Sequence, residues 1–386
     1  MSAVAAQSSR NSRLSELHQA AGQKLLVGFA GAHSTVPHSI GRALEGGLGG
    51  LILFRRNVED VHQFTDLTRS IHAFKSAPGP GPFVAVDQEG GRVVRLRSPL
   101  SPIPAMRKLG EIDDLDLTAA VSGLMARELE AVGVNLNFAP VVDVDSHPDN
   151  PVIGDRSFSP DPEQVARHGL AFIQAHLRNG VLPCAKHFPG HGDTTSDSHL
   201  TLPSLPHDFD RLEAVELLPF RAVIPSQLPA IMTAHILFQK LDPVHPASLS
   251  RAVLQDLLVT QLGFQGLIIT DCLEMKAVSD RYTIEEMVEL GIEAGVDVFL
   301  ISHSESVWQA AWQHMIRLAE RNLRTRERIL ASAQRIAACK SRRRPSPQRG
   351  TPPLEILGCS EHQDIVASVG ETIAQSDRLD PTETEA

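Results

Sequence analysis

Residues 186–199 read KHFPGHGDTTSDSH, with three histidines, a lysine and two aspartates in fourteen positions. Glycine and proline interrupt the stretch, and little in it could fill a core. Asp197 and His199 stand two apart, so in an extended or turning loop their side chains can share one side. A carboxylate that accepts a bond from one imidazole nitrogen fixes the tautomer and supports the cationic form, leaving the other nitrogen to face a substrate. Imidazole titrates near ~6.5, which suits giving and taking protons at neutral pH. The bland alternative for a lone histidine is a surface or structural role; the Asp-x-His spacing in a glycine-rich loop argues for proton transfer. His187, His191 and His199 with Asp193 and Asp197 could also be written as metal ligands. Zinc pairs, however, sit on a helix or in a compact turn with a further ligand elsewhere. HFPGH, held by Pro189 and Gly190, is not helical, so neither a metal nor another cofactor is expected.

Other reactive groups stand where apolar runs end. Asp271 follows GLIIT, Asp87 follows FVAV and opens DQEGGRVVR, and Asp143 leads towards GDRSF. The pair Lys186-His187 closes VLPCAKHF, and His235 closes AIMTAH. The plainer readings are an aspartate capping the next helix for Asp271, a rim salt bridge for Asp87 and Arg95, and a solvated lysine for Lys186. Cys272 is expected to pack behind its strand rather than react.

The elements that must position these groups are short apolar runs bounded by Gly, Pro or polar residues. They are LLVGFAG (25–31), GGLILF (49–54), FVAVDQ (83–88), VNLNFAPVVDV (134–144), VLPCAKHF (181–188), AIMTAHI (230–236), GLIITD (266–271) and VDVFLIS (296–302). Near-continuous apolar runs suit strands covered on both faces, as in a parallel sheet wrapped by helices. Between them, 116–133 has helical spacing and stops at Gly133. Residues 162–180 start after Asp161, an N-cap candidate followed by proline, and stop at Gly180. Residues 249–263 have Ser250 as cap and Gly263 as stop. Eight strands alternating with helices predict an α/β fold, a (β/α)8 TIM-type barrel, with a doubly wound open sheet as the competitor. Barrel enzymes carry their reacting groups at the C-terminal ends of the strands, where these charged residues fall.

The expected organisation is a flexible tail over 1–13, a catalytic barrel over 14–340, and an extension over 341–386. KSRRRPSPQRGTPP (340–353) reads as a linker, 361–375 as one amphipathic helix, and the end as a mobile acidic tail. A net charge of −10 and 4% aromatic residues speak against nucleic acid or an anionic membrane as partner. No run approaches the ~20 apolar residues of a membrane span, and MSAVAAQSSRNSR does not read as a signal peptide. Four scattered cysteines read as reduced thiols, and a cytoplasmic protein is expected. The oligomeric state stays open; a monomer is compatible.

The motifs GLILFRRN, VDQEGGRVVRL, NLNFAPVVDV, GDRSF, KHFPGHGDTTSDSH and IITDCLEMKAV, in this order over about residues 20–340, resemble glycoside hydrolase family 3. The resemblance is to its β-N-acetylglucosaminidase branch, which works in peptidoglycan recycling. It implies a retaining exo-glycosidase that releases terminal β-linked N-acetylglucosamine from muropeptide or chitooligosaccharide fragments. In that reading Asp271 matches the nucleophile, His199 the acid/base and Asp197 its dyad partner. Asp87, Arg95, Arg156, Lys186 and His187 match sugar-binding positions. A histidine departs from the carboxylate pair of most retaining enzymes. Some relatives carry a second α/β domain, of which only the opening helix is matched here, so the barrel is expected to be active by itself. A phosphorylase or β-glucosidase-type member, a non-catalytic muropeptide-binding protein and a metal hydrolase are the alternatives, separable by phosphate dependence, turnover of aryl glycosides and chelation.

Overall fold

The structure, a computed structural model, describes residues 15–74, 81–198, 200–342 and 351–370. The expected tail over 1–13, most of the basic linker and the acidic end over 371–386 lie outside the described residues, as does His199. The strands are β1 (Leu25–Val27), β2 (Gly50–Ile52), β3 (Phe83–Val86), β4 (Leu136–Asn137), β5 (Leu182–Phe188), β6 (Ser204–Leu205), β7 (Ala230–Thr233), β8 (Leu237–Phe238), β9 (Leu267–Cys272) and β10 (Val298–Ile301). All but β6 and β8 form one closed parallel barrel in the order β1-β10-β9-β7-β5-β4-β3-β2. Each of the eight apolar runs supplies one barrel strand, so the closed barrel prevails over the open sheet. The short parallel pair β6–β8 was not legible in the sequence; it ties the loops after β5 and β7 together at Ser204↔Leu237.

Residues two apart along a strand share a face. Inside the barrel lie Leu26, Ile52, Phe83, Ala85, Leu182, Cys184, Ala230, Met232, Leu267, Ile269, Val298 and Leu300. The alternate residues Val27, Leu51, Val84, Val86, Ala185, Ile231, Ile268 and Phe299 face outward and join the helix-facing core. One more step of two from Ala85, Cys184 and Ile269 reaches Asp87, Lys186 and Asp271. The period that fills the barrel therefore delivers three charged groups to its mouth, where all three line one cleft.

Helices follow local chemistry. Asp161 caps Pro162–Arg178 by accepting from Glu163 N, and Asp114 caps Leu115–Ala131 by accepting from Asp116 N and Leu117 N. Such caps contribute about 1 kcal/mol each. The segment expected as an α-helix over 249–263 is instead a π-helix at Ala252–Gln261. There the Leu262 amide reaches back to Leu257 O, and Ser250 Oγ still accepts from Val253 N. The helix Leu323–Arg342 closes the barrel floor: Ile336 and Cys339 join the interior core. Lys340 donates to Gly49 O at 2.7 Å, and burial pushes its ammonium down to about 7.

Within the expected C-terminal extension, the helix is Ser360–Ala367, shorter than 361–375 as far as the described residues go. It packs against Leu115–Ala131 rather than standing off. The buried Glu128 carboxylate receives His362 Nδ1 (2.8 Å), Gly358 N (2.9 Å) and Ser101 N and Oγ (2.9 and 2.7 Å). Among the described residues no helix is long and apolar enough to cross a membrane.

Candidate active site

The mouth of the barrel holds an open cleft of about 760 Å³. Its floor is Ile52, Met232 and Leu300, and its walls include Phe54, Asp87, Glu89, Arg156, Lys186, His187, His191, Ser198, Asp271, Met275 and His303. An apolar floor with few convergent polar groups is the usual make-up of a small-molecule site.

Three cations and two carboxylates form one side. Lys186 Nζ lies 2.8 Å from Asp87 Oδ1 and 2.6 Å from Glu89 Oε1. Arg156 grips Glu89 with two bonds of 2.8 Å, and Arg95 Nη2 meets Asp87 Oδ2 at 3.2 Å. Burial pushes both carboxyls up, but the cations outweigh it: Lys186 and Arg95 hold Asp87, and Arg156 and Lys186 hold Glu89, below the usual carboxylate range. Burial would lower Lys186, and the two carboxylates reverse that and raise it. All five groups stay charged at neutral pH, and no cation here is left without a carboxylate. This suits a neutral, hydroxyl-rich ligand better than a polyanion.

The positions expected to bind sugar thus divide. Asp87, Lys186, His187 and Arg156 line the cleft, whereas Arg95 is fully buried behind Asp87, its guanidinium over the Phe54 ring at 5.4 Å. Glu89, in the quoted DQEGGR run, received no role from sequence; its burial between Arg156 and Lys186 makes it the hub of the cluster. Only the pairing of β3 with residues far downstream could show that.

Asp271 occupies the last inward position of β9, and its Oδ1 accepts from Cys272 N at 2.7 Å. Glu274, three residues on, accepts from His303 N and Ser304 N and so ties the loop after β9 to the end of β10. Cys272 also lines the cleft instead of packing wholly behind the strand, yet burial pushes its thiol up to about 12, which keeps it protonated and unreactive. His235 is buried against Ser248 Oγ and Cys272 O and supports the β9 end from below.

The loop after β5 is held more firmly than its glycines suggest. The Lys186–His187 peptide is cis, and both side chains line the cleft. His187 Nδ1 meets the buried Asp143 Oδ2 at 2.7 Å, and His191 N donates to Asp143 Oδ1 at 2.7 Å. The His191 ring bonds Thr194 Oγ1 (2.8 Å) and Ser198 Oγ (3.0 Å), and burial pushes it down to about 4, so it is neutral. Gly192 is required by close approach, since a Cβ there would fall 1.6 Å from Val144 O. The root of the loop is docked, and exposure begins at Thr195 and Ser196. The His191–Ser198 bond brings the segment carrying Asp197 back to the cleft wall. His187, His191 and Asp193 are engaged respectively by Asp143, by Thr194 and Ser198, and by His207 (2.8 Å). Among the described residues no cluster is suited to a metal ion.

A closed parallel barrel with a carboxylate at the β9 mouth and a charged wall at β3 and β5 has the layout of a barrel enzyme's active site. Residues 34–339 match the glycosyl hydrolase family 3 N-terminal domain, and the chain belongs to that family. It is 40% identical over 267 residues to a β-hexosaminidase of Neisseria meningitidis serogroup C, covering 67% of this chain and 73% of that one. It is 35% identical over 364 residues to β-hexosaminidase A of Pseudoalteromonas piscicida, covering 84% of this chain but only 61% of the relative's length. Among solved structures, a family 3 β-N-acetylglucosaminidase from Paenibacillus sp. superposes with a TM-score of 0.84 at 36% identity, over 91% of this chain and 67% of that one. NagZ from Neisseria gonorrhoeae in complex with N-trifluoroacetyl-D-glucosamine superposes with a TM-score of 0.72 at 30% identity, over 90% and 97%.

Proposed function

We propose that this protein is a retaining β-N-acetylhexosaminidase that removes terminal, non-reducing β-linked N-acetylglucosamine from oligosaccharide fragments, muropeptides among them. The observation that carries this reading is the shared cleft of Asp271, Asp87, Lys186 and His187, which brings the carboxylate at the end of β9 together with groups that can fix sugar hydroxyls. Asp271 attacks the anomeric carbon as the glycosidic C–O bond breaks, and His199 gives its proton to the leaving oxygen. Water then attacks the covalent glycosyl-enzyme, His199 takes the proton back, and Asp271 is released. Asp197 orients His199 and stabilises its cation. Proton transfer of this kind contributes about 10²–10⁴-fold, roughly 3–5.5 kcal/mol. The names of the relatives, β-hexosaminidases and β-N-acetylglucosaminidases, support the sugar specificity. Four free cysteines suit a reducing compartment and support a cytoplasmic setting.

The test is turnover of nitrophenyl N-acetyl-β-glucosaminide beside the plain glucoside, followed by trapping with a 5-fluoro glycosyl fluoride of N-acetylglucosamine. The expected result is preference for the acetamido sugar and a mass increment on the peptide containing Asp271. An increment on another residue, or sugar 1-phosphate as the product when phosphate is supplied, would replace this mechanism.

A further inference from the structure

The carboxylate of Asp143 is buried, belongs to no step above, and faces two backbone N–H groups and one imidazole nitrogen. His187 Nδ1 lies 2.7 Å from Oδ2, His187 N 3.2 Å from both oxygens, and His191 N 2.7 Å from Oδ1. The backbone carries Asp143 alongside β5, with Val142 N donating to Lys186 O at 2.8 Å. We propose that Asp143 is a positioning residue that sets the hydrogen-bonding polarity of His187 towards the sugar and at the same time pins the root of the loop bearing Asp197 and His199. The inference rests on the hexosaminidase reading of the cleft.

The chemistry follows from the count of donors and acceptors. A carboxylate only accepts, so His187 keeps a proton on Nδ1, and in the uncharged form of the ring that fixes the tautomer. Nε2 then presents a lone pair to the cleft and accepts from a sugar hydroxyl, beside Lys186, which donates. The other oxygen holds His191 N, and the His191 ring in turn holds Thr194 and Ser198, next to Asp197. One buried anion thus joins the sugar-contacting strand end to the loop that carries the proposed acid. Removing only the charge separates these roles. In Asp143→Asn the amide oxygen can serve one edge, and its NH2 must face the other. If the NH2 faces His187, the imidazole turns to the Nε2–H tautomer and offers the sugar a donor where it offered an acceptor. If it faces His191 N–H, two donors oppose each other and the loop root loosens.

The experiment uses histidine-selective 15N labelling and long-range 1H–15N NMR, with His187 assigned by its loss in His187→Gln. Wild-type His187 is expected as the Nδ1–H tautomer; finding it as Nε2–H overturns the inference without any Asp143 variant. In Asp143→Asn, either His187 changes tautomer or the His191 amide exchanges with solvent at least tenfold faster. The first outcome is expected with a KM for nitrophenyl N-acetyl-β-glucosaminide raised about tenfold and kcat nearly kept. The second is expected with kcat lowered and KM nearly kept. If neither NMR signal moves and both constants stay within twofold, Asp143 is not a positioning residue. If the wild type hydrolyses no N-acetylglucosaminide, the reading of the cleft falls, and the tautomer still decides the role of Asp143.

Discussion

Glu89→Gln keeps the shape of the charged wall and removes the charge at its centre. Glu89 Oε1 is shared by Lys186 Nζ (2.6 Å) and Arg156 Nη2 (2.8 Å), and Oε2 by Arg156 Nε (2.8 Å). The glutamine oxygen can satisfy one of these contacts, while its NH2 opposes a cationic donor. Breaking a buried pair from one side costs about 3–5 kcal/mol. Because one contact survives and Lys186 keeps Asp87, the lower end applies, about 3 kcal/mol. With a urea slope near ~3 kcal/mol/M, the unfolding midpoint should fall by about 1 M at pH 7. The pH dependence has a definite sign. The cations lower the pKa of Glu89 on folding, so its contribution is present above the unfolded value of 4.5 and is lost as pH falls towards the folded one. The gap between wild type and variant should therefore hold from pH 7 to about pH 5 and narrow below about pH 4.5. Urea curves followed by circular dichroism at pH 7, 5 and 3.5 test this. A gap under about 1 kcal/mol at pH 7, or one that widens towards acid, would refute the account of Glu89 as hub.

Asp271→Ala is expected to abolish turnover while leaving the unfolding free energy from urea curves within about 0.5 kcal/mol of wild type, because the side chain is partly exposed at the cleft. His199→Ala should cut hydrolysis of a poor leaving group by about 10²–10⁴-fold. It should spare much of the first step for nitrophenyl glycosides, measured as a pre-steady-state burst; equal losses on both substrates in that step would remove His199 as the acid. His362→Ala leaves the Glu128 carboxylate short of a buried donor and should lower stability by about 1–3 kcal/mol with kcat unchanged, read by thermal unfolding and steady-state rates. Cys272→Ser should leave maleimide labelling at pH 7.5 unchanged, because burial already keeps that thiol protonated; a drop in labelled stoichiometry would contradict this.

The local signals in the sequence carried far. Asp161, Pro162 and Gly180 bound a helix by capping chemistry that acts within one turn, and the structure begins and ends that helix at Pro162 and Arg178. The eight apolar runs each became one barrel strand, because short Val/Ile/Leu-rich stretches flanked by breakers have few other places to go in an α/β chain. The π-helix at Ala252–Gln261 and the pair β6–β8 were missed, since both depend on what packs against them.

What the sequence by itself determined is the set of strands, their period of two, and hence the placing of Asp87, Lys186 and Asp271 at strand ends. Those follow from backbone geometry and side-chain type within a few residues. Only the tertiary structure decided which charges meet. Asp87 and Lys186 are 99 residues apart, Glu89 and Arg156 67, and Asp143 and His187 44. Barrel closure and the β3–β4–β5 neighbourhood set these pairings, burying Arg95 behind Asp87 and docking the root of the glycine-rich loop after β5. An ion pair's energy depends on separation and burial, and neither quantity is encoded in spacing along the chain.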